Sequence, residues 1–509
     1  MKPDQIGSGT VKFQTSCAAA VAADFNRAVA LLHSFWFPEA TKMFEAIAQK
    51  DPSCALAHWG IAMSNWGNPY VGIRSKELID KGAAIVAKAQ STGQPSPGDR
   101  ALIDAVAILY SSAELGTHRD RVLKYEDAMA KISADNPKDV ELRIFYALAV
   151  TQSASPTDKT YSKQLQAGAI LEPLFKEMPQ HPGVAHYIIH AYDAPPLAEK
   201  GLVAARRYAS LAPAVPHALH MPSHTFTRVG SWKESIETNR RSADAARKSN
   251  GPGEELHALD YQAYAYLQIA QDKAAKTVLD HAISVVGGAE GLAAGAAGAG
   301  AYAIAAIPAR YALERGAWTE AAALTTRPAK TPFTEGITHF ARAVGAARSG
   351  NPAAAAADIE RLAALRDAMK AMQDAYWTEQ LDIQRRVALA WVAYAEGKKD
   401  EGIKQLQAAA DAEDATDKSA ISPGPLAPAR ELLGEMLLDA GRPQEALVAF
   451  EASTKKEPNR FRGLYGAARA AEMAGDRAKA AKYYKQLLEV AKEADTQRAE
   501  LVAARKFTN

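Results

Sequence analysis

The chain has 509 residues and a nearly even charge balance, with 60 lysines and arginines against 58 aspartates and glutamates and a formal net charge of +2. This balance argues against nucleic-acid and anionic-membrane partners, which need a basic surface, and we predict neither. No apolar run approaches the ~18 residues that span a bilayer, so no membrane insertion is predicted. Because the first residues lack the apolar core of an export signal, we expect either a cytosolic protein or a chain from which a signal has been removed.

Alanine-rich segments with leucine, glutamate, lysine and arginine dominate the sequence, and runs of valine, isoleucine and threonine are scarce. This composition predicts an all-α protein. In chain order we predict an N-terminal extension (1–16), helical hairpins (17–286), a connector (287–300), irregular helical hairpins (301–420) and two regular repeats (421–509). The connector carries six glycines among alanines, which disfavours a well-packed helix. A last break is predicted at residues 421–425, where Gly424 lies between two prolines.

The clearest repeat lies near the C-terminus, where a set of small and large apolar residues recurs at a spacing of 34 residues. The two copies are Leu433-Gly434, Leu437, Gly441, Ala446 and Phe450, then Ala467-Ala468, Ala471, Gly475, Ala480 and Tyr484. Small residues allow helices to cross closely, and the large residue fills the remaining gap. The pattern resembles the tetratricopeptide-repeat (TPR) superfamily. That resemblance implies an α-solenoid of stacked helical hairpins, a TPR-like superhelix.

Six of the twelve histidines lie between His181 and His224. His186 and His190 are four residues apart, as are His220 and His224, so each pair shares one helical face with Cβ atoms about 5–6 Å apart. The second pair also follows the first by one repeat length, ~34 residues. Equivalent helices of neighbouring repeats lie about 8–10 Å apart, so the four imidazoles can face one centre. We therefore predict a transition-metal site, for zinc, copper, nickel or iron.

Further ligands or supporting residues are predicted around this site: His217, His257, Asp193 and Asp260. Each aspartate follows a histidine by three residues, which places it on the same predicted helical face. Two histidines with one carboxylate would indicate non-haem iron, three histidines with a water would indicate catalytic zinc, and either carboxylate could instead orient an imidazole. Pro222 lies between His220 and His224, so we expect the helix to bend or restart there.

Two alternatives to a metal site remain open, a neutral hydrogen-bonded histidine core and a pH-responsive cluster. An aromatic and histidine group is predicted either to form a ligand wall or to pack as core. Its members are His33, His58, Trp59, Trp66, Tyr187 and Tyr261.

The leading functional prediction is a solenoid with a transition-metal site in its concave groove. If the ion activates water or oxygen, the protein would be a metal-dependent hydrolase or oxidoreductase acting on a small molecule. The alternative is a non-enzymatic scaffold that binds a peptide or protein along the groove. The sequence predicts neither the reaction nor the oligomeric state.

Cys17 and Cys54 each precede the first helix of a predicted hairpin, close enough for a disulfide, although two buried thiols are equally compatible with that position. Several segments resemble a group of bacterial exported TPR proteins with histidine-rich motifs and unassigned function. They are residues 25–36, the motif His58-Trp59-Gly60-Ile61-Ala62-Met63, and residues 186–195, 217–228 and 257–266. The resemblance implies a periplasmic or secreted location and so favours the Cys17–Cys54 bridge, with a cytoplasmic location as the alternative.

Overall fold

The computed structural model describes residue 6, residues 9–287 and residues 298–508. Every regular element in these ranges is a helix, and no β-strand occurs in them, which confirms the all-α prediction. No helix in the described ranges is long and apolar enough to cross a membrane. The chain forms two compact units, Met1–Thr225 and Phe226–Asn509. Most of the predicted connector, residues 288–297, lies outside the described ranges.

The first unit is a stack of helical hairpins. Its helices in chain order are α1 (Ala22–His33), α2 (Phe37–Lys50), α3 (Ala55–Trp66), α4 (Lys76–Ser91), α5 (Pro97–Leu109), α6 (His118–Asp135), α7 (Val140–Gln152), α8 (Ser162–Glu177), α9 (Pro182–Ala191), α10 (Leu202–Leu211) and α11 (Pro216–His220), with α12 (Pro222–Arg228) beginning at its end. From α1 to α11 each helix packs against the next, and α1 also packs against α9. That second contact brings the end of α1 beside the histidines of α9.

The second unit repeats the same design with its own helices. They are α13 (Trp232–Lys248), α14 (Pro252–Gln268), α15 (Asp272–Val285), α16 (Ala299–Glu314), α17 (Trp318–Ala322), α18 (Pro332–Arg348), α19 (Ala356–Ala371), α20 (Ala375–Ala395), α21 (Lys399–Asp414), α22 (Ala429–Asp439), α23 (Pro443–Lys456), α24 (Phe461–Met473), α25 (Arg477–Val490) and α26 (Ala499–Thr508). Each packs against the next, and alternate helices such as α22 and α24 also touch. Each unit is therefore an α-solenoid stack.

The two C-terminal hairpins show why the repeat pattern has its spacing. Phe450 on α23 is fully buried, and a Cβ added at Gly434 or Gly466 would come within 2.8 Å or 2.2 Å of its ring. Only glycine therefore allows α22 and α24 to approach it. After each hairpin's first helix, Gly441 and Gly475 have φ values of +73° and +82°, a conformation that glycine adopts without steric cost. The predicted repeat of helical hairpins is confirmed here.

The predicted break at residues 421–425 lies in an ordered, largely buried connection between α21 and α22. The guanidinium of Arg310 on α16 donates to the Ser422 hydroxyl and to the carbonyl oxygens of Gly424 and Pro425 at 2.9–3.0 Å. The same guanidinium forms a fully buried ion pair with Asp260, 2.9 Å away. The preceding helix already ends at Asp414, and the buried Arg310 fixes the path of the connection through these hydrogen bonds.

Cys17 and Cys54 form a disulfide, with their Cα atoms 4.7 Å apart and a sequence separation of 37 residues. Asp51 supports the same region, because its Oδ2 accepts from the backbone N–H of Ala18 at 2.8 Å. The bridge therefore fastens the segment before α1 to the start of α3. This pairing agrees with the one that the family resemblance favoured.

Replacing Phe450 with alanine should lower the free energy of unfolding by about 3–5 kcal/mol, because it leaves a cavity between two glycines that cannot fill it. Urea denaturation measures the change. V448A is the matched control on the same helix, since Val448 is 68% exposed and its truncation should cost less than about 0.5 kcal/mol. Equal losses for the two variants would contradict the packing role given to Phe450.

The double variant C17S/C54S should lose about 4 kcal/mol of stability, the chain-entropy value for opening a loop of this length. Urea titration of both proteins, each with and without a reducing agent, measures it. The reducing agent should destabilise the natural protein alone. If the natural protein responded no more than the variant, the bridge would contribute nothing to folding.

Candidate metal centre

His186 and His190 lie on the buried face of α9, 0% and 8% exposed. The Nδ1–H of His186 donates to the backbone carbonyl of His33 at 2.6 Å. In the neutral ring, the Nε2 of His186 then carries no proton and presents a lone pair. That Nε2 lies 3.1 Å from the Nε2 of His190. The two ring nitrogens therefore share either a single proton or a single cation between them.

The separation of these two nitrogens matches that of two ligands on one metal ion. Nitrogens bound at about 2.0–2.1 Å are about 3.3–3.4 Å apart at a tetrahedral angle and about 2.8–3.0 Å apart at a right angle. The observed 3.1 Å lies between these values. An ion could therefore replace the shared proton with little movement of either ring.

His220 and His224 form a second pair of the same kind. Their Nε2 atoms are also 3.1 Å apart, and the Nδ1–H of His224 donates to Asp193 Oδ2 at 2.8 Å. The hydrogen bond to the carboxylate fixes the tautomer that presents Nε2 to the neighbouring ring.

Helix α11 ends at His220 and α12 begins at Pro222, so the helix restarts between the paired histidines. A restart is one of the two outcomes predicted for Pro222. Met221 alone separates the helices, and its φ and ψ of −51° and −38° are still helical. The pair survives because the proline interrupts the hydrogen-bonding pattern without turning the chain away.

His217 joins the first pair. One ring nitrogen from each of His186, His190 and His217 lies within 4.8 Å of the others. The ring centroid of His217 is 6.3 Å from that of His220, and the centroids of His190 and His224 are 6.2 Å apart. The predicted four histidines and His217 therefore adjoin in one cluster, in which His186, His190 and His217 are the most closely grouped.

Aromatic rings enclose this cluster. Phe35 has an unusual φ of +54° and packs its ring against three imidazoles, with centroid distances of 4.4 Å to His186, 5.7 Å to His190 and 5.2 Å to His217. Tyr70 stacks on His190 at 4.1 Å. A large side chain with positive φ is a strained conformation that the surrounding packing must maintain. The strain places an apolar ring against the histidines.

Burial keeps these imidazoles neutral. Desolvation is the largest cause that holds the pKa of His186 well below its usual value, and the neighbouring His190 adds to it. Desolvation likewise lowers the pKa of His217, with His186, His220 and His224 contributing. A neutral imidazole has a nitrogen lone pair that can bind a metal ion, whereas an imidazolium has none.

The predicted supporting carboxylates occupy different settings. Asp193 lies two residues beyond the end of α9, so it is not on the helical face of His190, and its Oδ2 accepts from the outer nitrogen of His224. Asp260 is fully buried in its ion pair with Arg310. His257, on α14 of the second unit, packs its ring edge-on to Tyr261 at 5.3 Å. Asp193 is thus placed to orient the His224 ring.

A second network, which the sequence reasoning missed, lies behind the cluster. Glu141 accepts from His33 Nε2–H at 2.9 Å and from His181 Nε2–H at 3.0 Å. The outer nitrogens are also bonded, with His33 Nδ1 accepting from the Tyr187 hydroxyl at 3.0 Å and His181 Nδ1 from the backbone N–H of Val184 at 3.4 Å. Every ring nitrogen here has a partner, so we interpret this network as a support for His33 and thus for His186.

The predicted ligand wall divides between core and cavity. Trp59 stacks on Phe13 at 5.2 Å and is buried as core, and the Tyr261 hydroxyl donates to the Ser422 carbonyl oxygen at 3.0 Å in the second unit. His33 belongs to the Glu141 network, and His58 is a buried residue of α3. Trp66 and Tyr187 line a small cavity of the first unit, together with Phe35 among others. These two therefore remain candidates for ligand contact.

No protein-family model and no curated protein matches the chain. Among solved structures, the APC/C hetero-tetramer Cut9–Hcn1 is 14% identical with a TM-score of 0.37, and the similarity covers 98% of this chain and 79% of that one. The human IFIT1 dimer with m7Gppp-AAAA is 12% identical with a TM-score of 0.39, covering 86% and 90%. Similarity at this level gives no basis for assigning a ligand or a partner to this chain.

Acidification should destabilise the metal-free protein through these two imidazoles. The pKa values of His186 and His217 are lowered in the folded state, so below about pH 6.5 the unfolded chain binds protons that the folded chain excludes. Between pH 7 and pH 5 each residue should cost up to about 2 kcal/mol. Urea denaturation across this range measures the loss, and the variant H186Q/H217Q should show a shallower pH dependence. An unchanged slope would contradict the neutral state assigned to both rings.

Proposed function

We propose that the first unit binds a transition-metal ion through His186, His190 and His217, with His220 and His224 as an adjoining second position. The observation that carries the proposal is that the Nε2 atoms of His186 and His190 lie 3.1 Å apart. The other ring nitrogen of His186 already donates its N–H to the His33 carbonyl oxygen. Fixing the outer nitrogen of a ligating histidine is the usual way in which proteins orient a metal site.

The donor set favours zinc or copper over iron. Imidazole suits all three metals, but a non-haem iron site of the common type needs a carboxylate ligand. The predicted carboxylate Asp193 accepts a hydrogen bond from the outer nitrogen of His224. Asp193 would also offset part of the positive charge that an ion brings into a buried, apolar site.

An ion held by three neutral imidazoles would leave a coordination position for a small molecule. When bound in such a site, zinc lowers the pKa of a coordinated water to about 7. The chain's own residues would restrict access to it, because Phe35, Tyr70 and Tyr208 cover the rings with apolar surface. A metal-dependent hydrolase acting on a small substrate is the enzyme class that this arrangement supports best.

The proposal also covers the cellular location, an oxidising compartment, and the kind of macromolecular partner. The Cys17–Cys54 bridge supports an oxidising compartment such as the periplasm, where disulfides persist. A peptide or protein partner would need residues other than the predicted wall, since Trp59, Tyr187 and Tyr261 are at most 2% exposed. The near-neutral charge supports a partner other than nucleic acid.

Elemental analysis of protein purified without an affinity tag should find at least one equivalent of zinc or copper per chain. H190A removes one of the facing nitrogens and should reduce binding at the first position by about a hundredfold or more. H58A is the matched control, because His58 is also a buried histidine of the first unit but lies outside the cluster. It should bind metal as the natural chain does.

H224A separates the two arrangements of the cluster. If the first three histidines form one site, this variant keeps its first equivalent and loses only further binding. If it loses all metal, the four histidines originally predicted share a single ion. Less than about a tenth of an equivalent in the natural protein, with no uptake on titration of zinc or copper, would overturn metal binding altogether.

A further inference from the structure

Two arginines of the first unit are buried and form no ion pair with any acidic residue that the structure describes. Arg74 and Arg121 are 6% and 4% exposed. The Arg74 guanidinium donates to the carbonyl oxygens of Asn68, Val71 and Gly72, and Arg121 donates to that of Leu109. In the part of the chain that the structure describes, neither forms an ion pair with a carboxylate. Backbone carbonyls satisfy some of the N–H groups, but they carry no full negative charge to balance two cations.

Four nitrogen atoms around these arginines are buried and lack a hydrogen-bond partner. They are Arg74 Nε, Arg121 Nε, Trp66 Nε1 and His118 Nδ1. The first three are obligatory N–H donors, and the imidazole can present an N–H at the fourth position. A buried donor without a partner costs about 1–3 kcal/mol, and more when it is charged. Such a set is rarely left unsatisfied in a folded protein.

The four side chains adjoin one another, and we call them the Arg74 pocket. The Arg74 guanidinium lies 4.9 Å from the centre of the Trp66 ring. Trp66 in turn stacks on His118, with centroids 6.0 Å apart and an angle of 11° between the planes. His118 and Arg121 are three residues apart on α6, and so lie on one face of that helix.

The charged groups of the Arg74 pocket make it electropositive. Burial is the main cause that lowers the pKa of Arg74 to about 10, and Arg121 lowers it further. Burial also lowers the pKa of His118 to about 4, with Arg74, Arg121 and Arg119 adding to the shift. Positive charge is therefore concentrated here. A buried charge of this kind requires a counter-charge, and none of the described residues supplies one by an ion pair.

We propose that the Arg74 pocket binds a small anion, of the class that runs from chloride to a short carboxylate such as formate. The N–H groups of Arg74, Arg121 and Trp66 would donate to it, and charge-assisted bonds from guanidinium groups are among the stronger ones in proteins. Trp66 also lines the small apolar cavity of the first unit, which leaves room beside the pocket for little more than a short aliphatic group. His118 is only half-buried, which provides a route from solvent.

This site uses other residues than the proposed metal centre, although one loop contributes to both. Arg74 bonds to carbonyls of the loop at residues 67–75, and that loop also carries Tyr70, whose ring lies on His190. The binding test is therefore made on metal-free protein. A result for the anion then stands or falls without reference to the metal.

The natural chain is titrated with sodium chloride and with sodium formate, and ionic strength is kept constant with sodium gluconate, whose anion is too large to enter. Thermal unfolding should show a saturable rise in midpoint with chloride and formate. Chlorine NMR line broadening by the protein should be reversed by formate, because both compete for one pocket. R74Q and R121Q should each weaken binding by about tenfold to a hundredfold.

R119Q is the matched control, since Arg119 is exposed on the same helix. Its side chain contributes positive charge near the pocket but no buried N–H donor. The variant should change affinity less than about twofold, as expected for a screened surface charge. If R74Q does not fold, R74K keeps the charge and loses the Nε donor position. Three results would overturn anion binding: equal stabilisation by gluconate, no saturation in the natural chain, or equal effects of R119Q and R121Q. Water would then be the partner of these donors.

Discussion

Each buried imidazole has two ring nitrogens, and both must be satisfied when water is excluded. This constraint shapes the first unit. One nitrogen of His186 is bonded to a backbone carbonyl and one nitrogen of His224 to Asp193. The remaining nitrogens face those of His190 and His220, four residues away on the adjoining turn. Helix spacing alone brings such rings together, but the outer hydrogen bonds decide which nitrogen is presented.

The two histidine clusters of the first unit differ in how this constraint is met. In the Glu141 network a carboxylate accepts from both imidazoles, and their outer nitrogens accept from Tyr187 and Val184. Hydrogen bonding around both imidazole rings is then complete. In the pair at His186 and His190, by contrast, two acceptor-capable nitrogens face each other and need a proton or a cation between them. The same residue type therefore serves as support in one cluster and as a candidate ligand in the other.

Much of the architecture could be predicted because helices impose regular spacing. The offset between the histidine pairs and the repeat around Phe450 both follow from periodic patterns, and both are found in the structure. What could not be predicted depends on tertiary contacts. The helix of His190 ends two residues before Asp193, and the carboxylate accepts from His224, 31 residues further along the chain. Glu141 lies 40 residues from His181 in sequence, and no local pattern connects them. The positive φ of Phe35 has no sequence signal of its own.

The loop at residues 67–75 links two parts of the first unit through a few atoms. Its carbonyl oxygens accept from Arg74, while its Tyr70 ring covers His190 and the Tyr70 hydroxyl shares a 2.7 Å hydrogen bond with Thr151. Displacing the arginine would release the carbonyls that fix the loop, and lifting the tyrosine would strain the same backbone. Any two ligands that depend on this loop must therefore influence each other's affinity equally, since thermodynamic coupling is reciprocal.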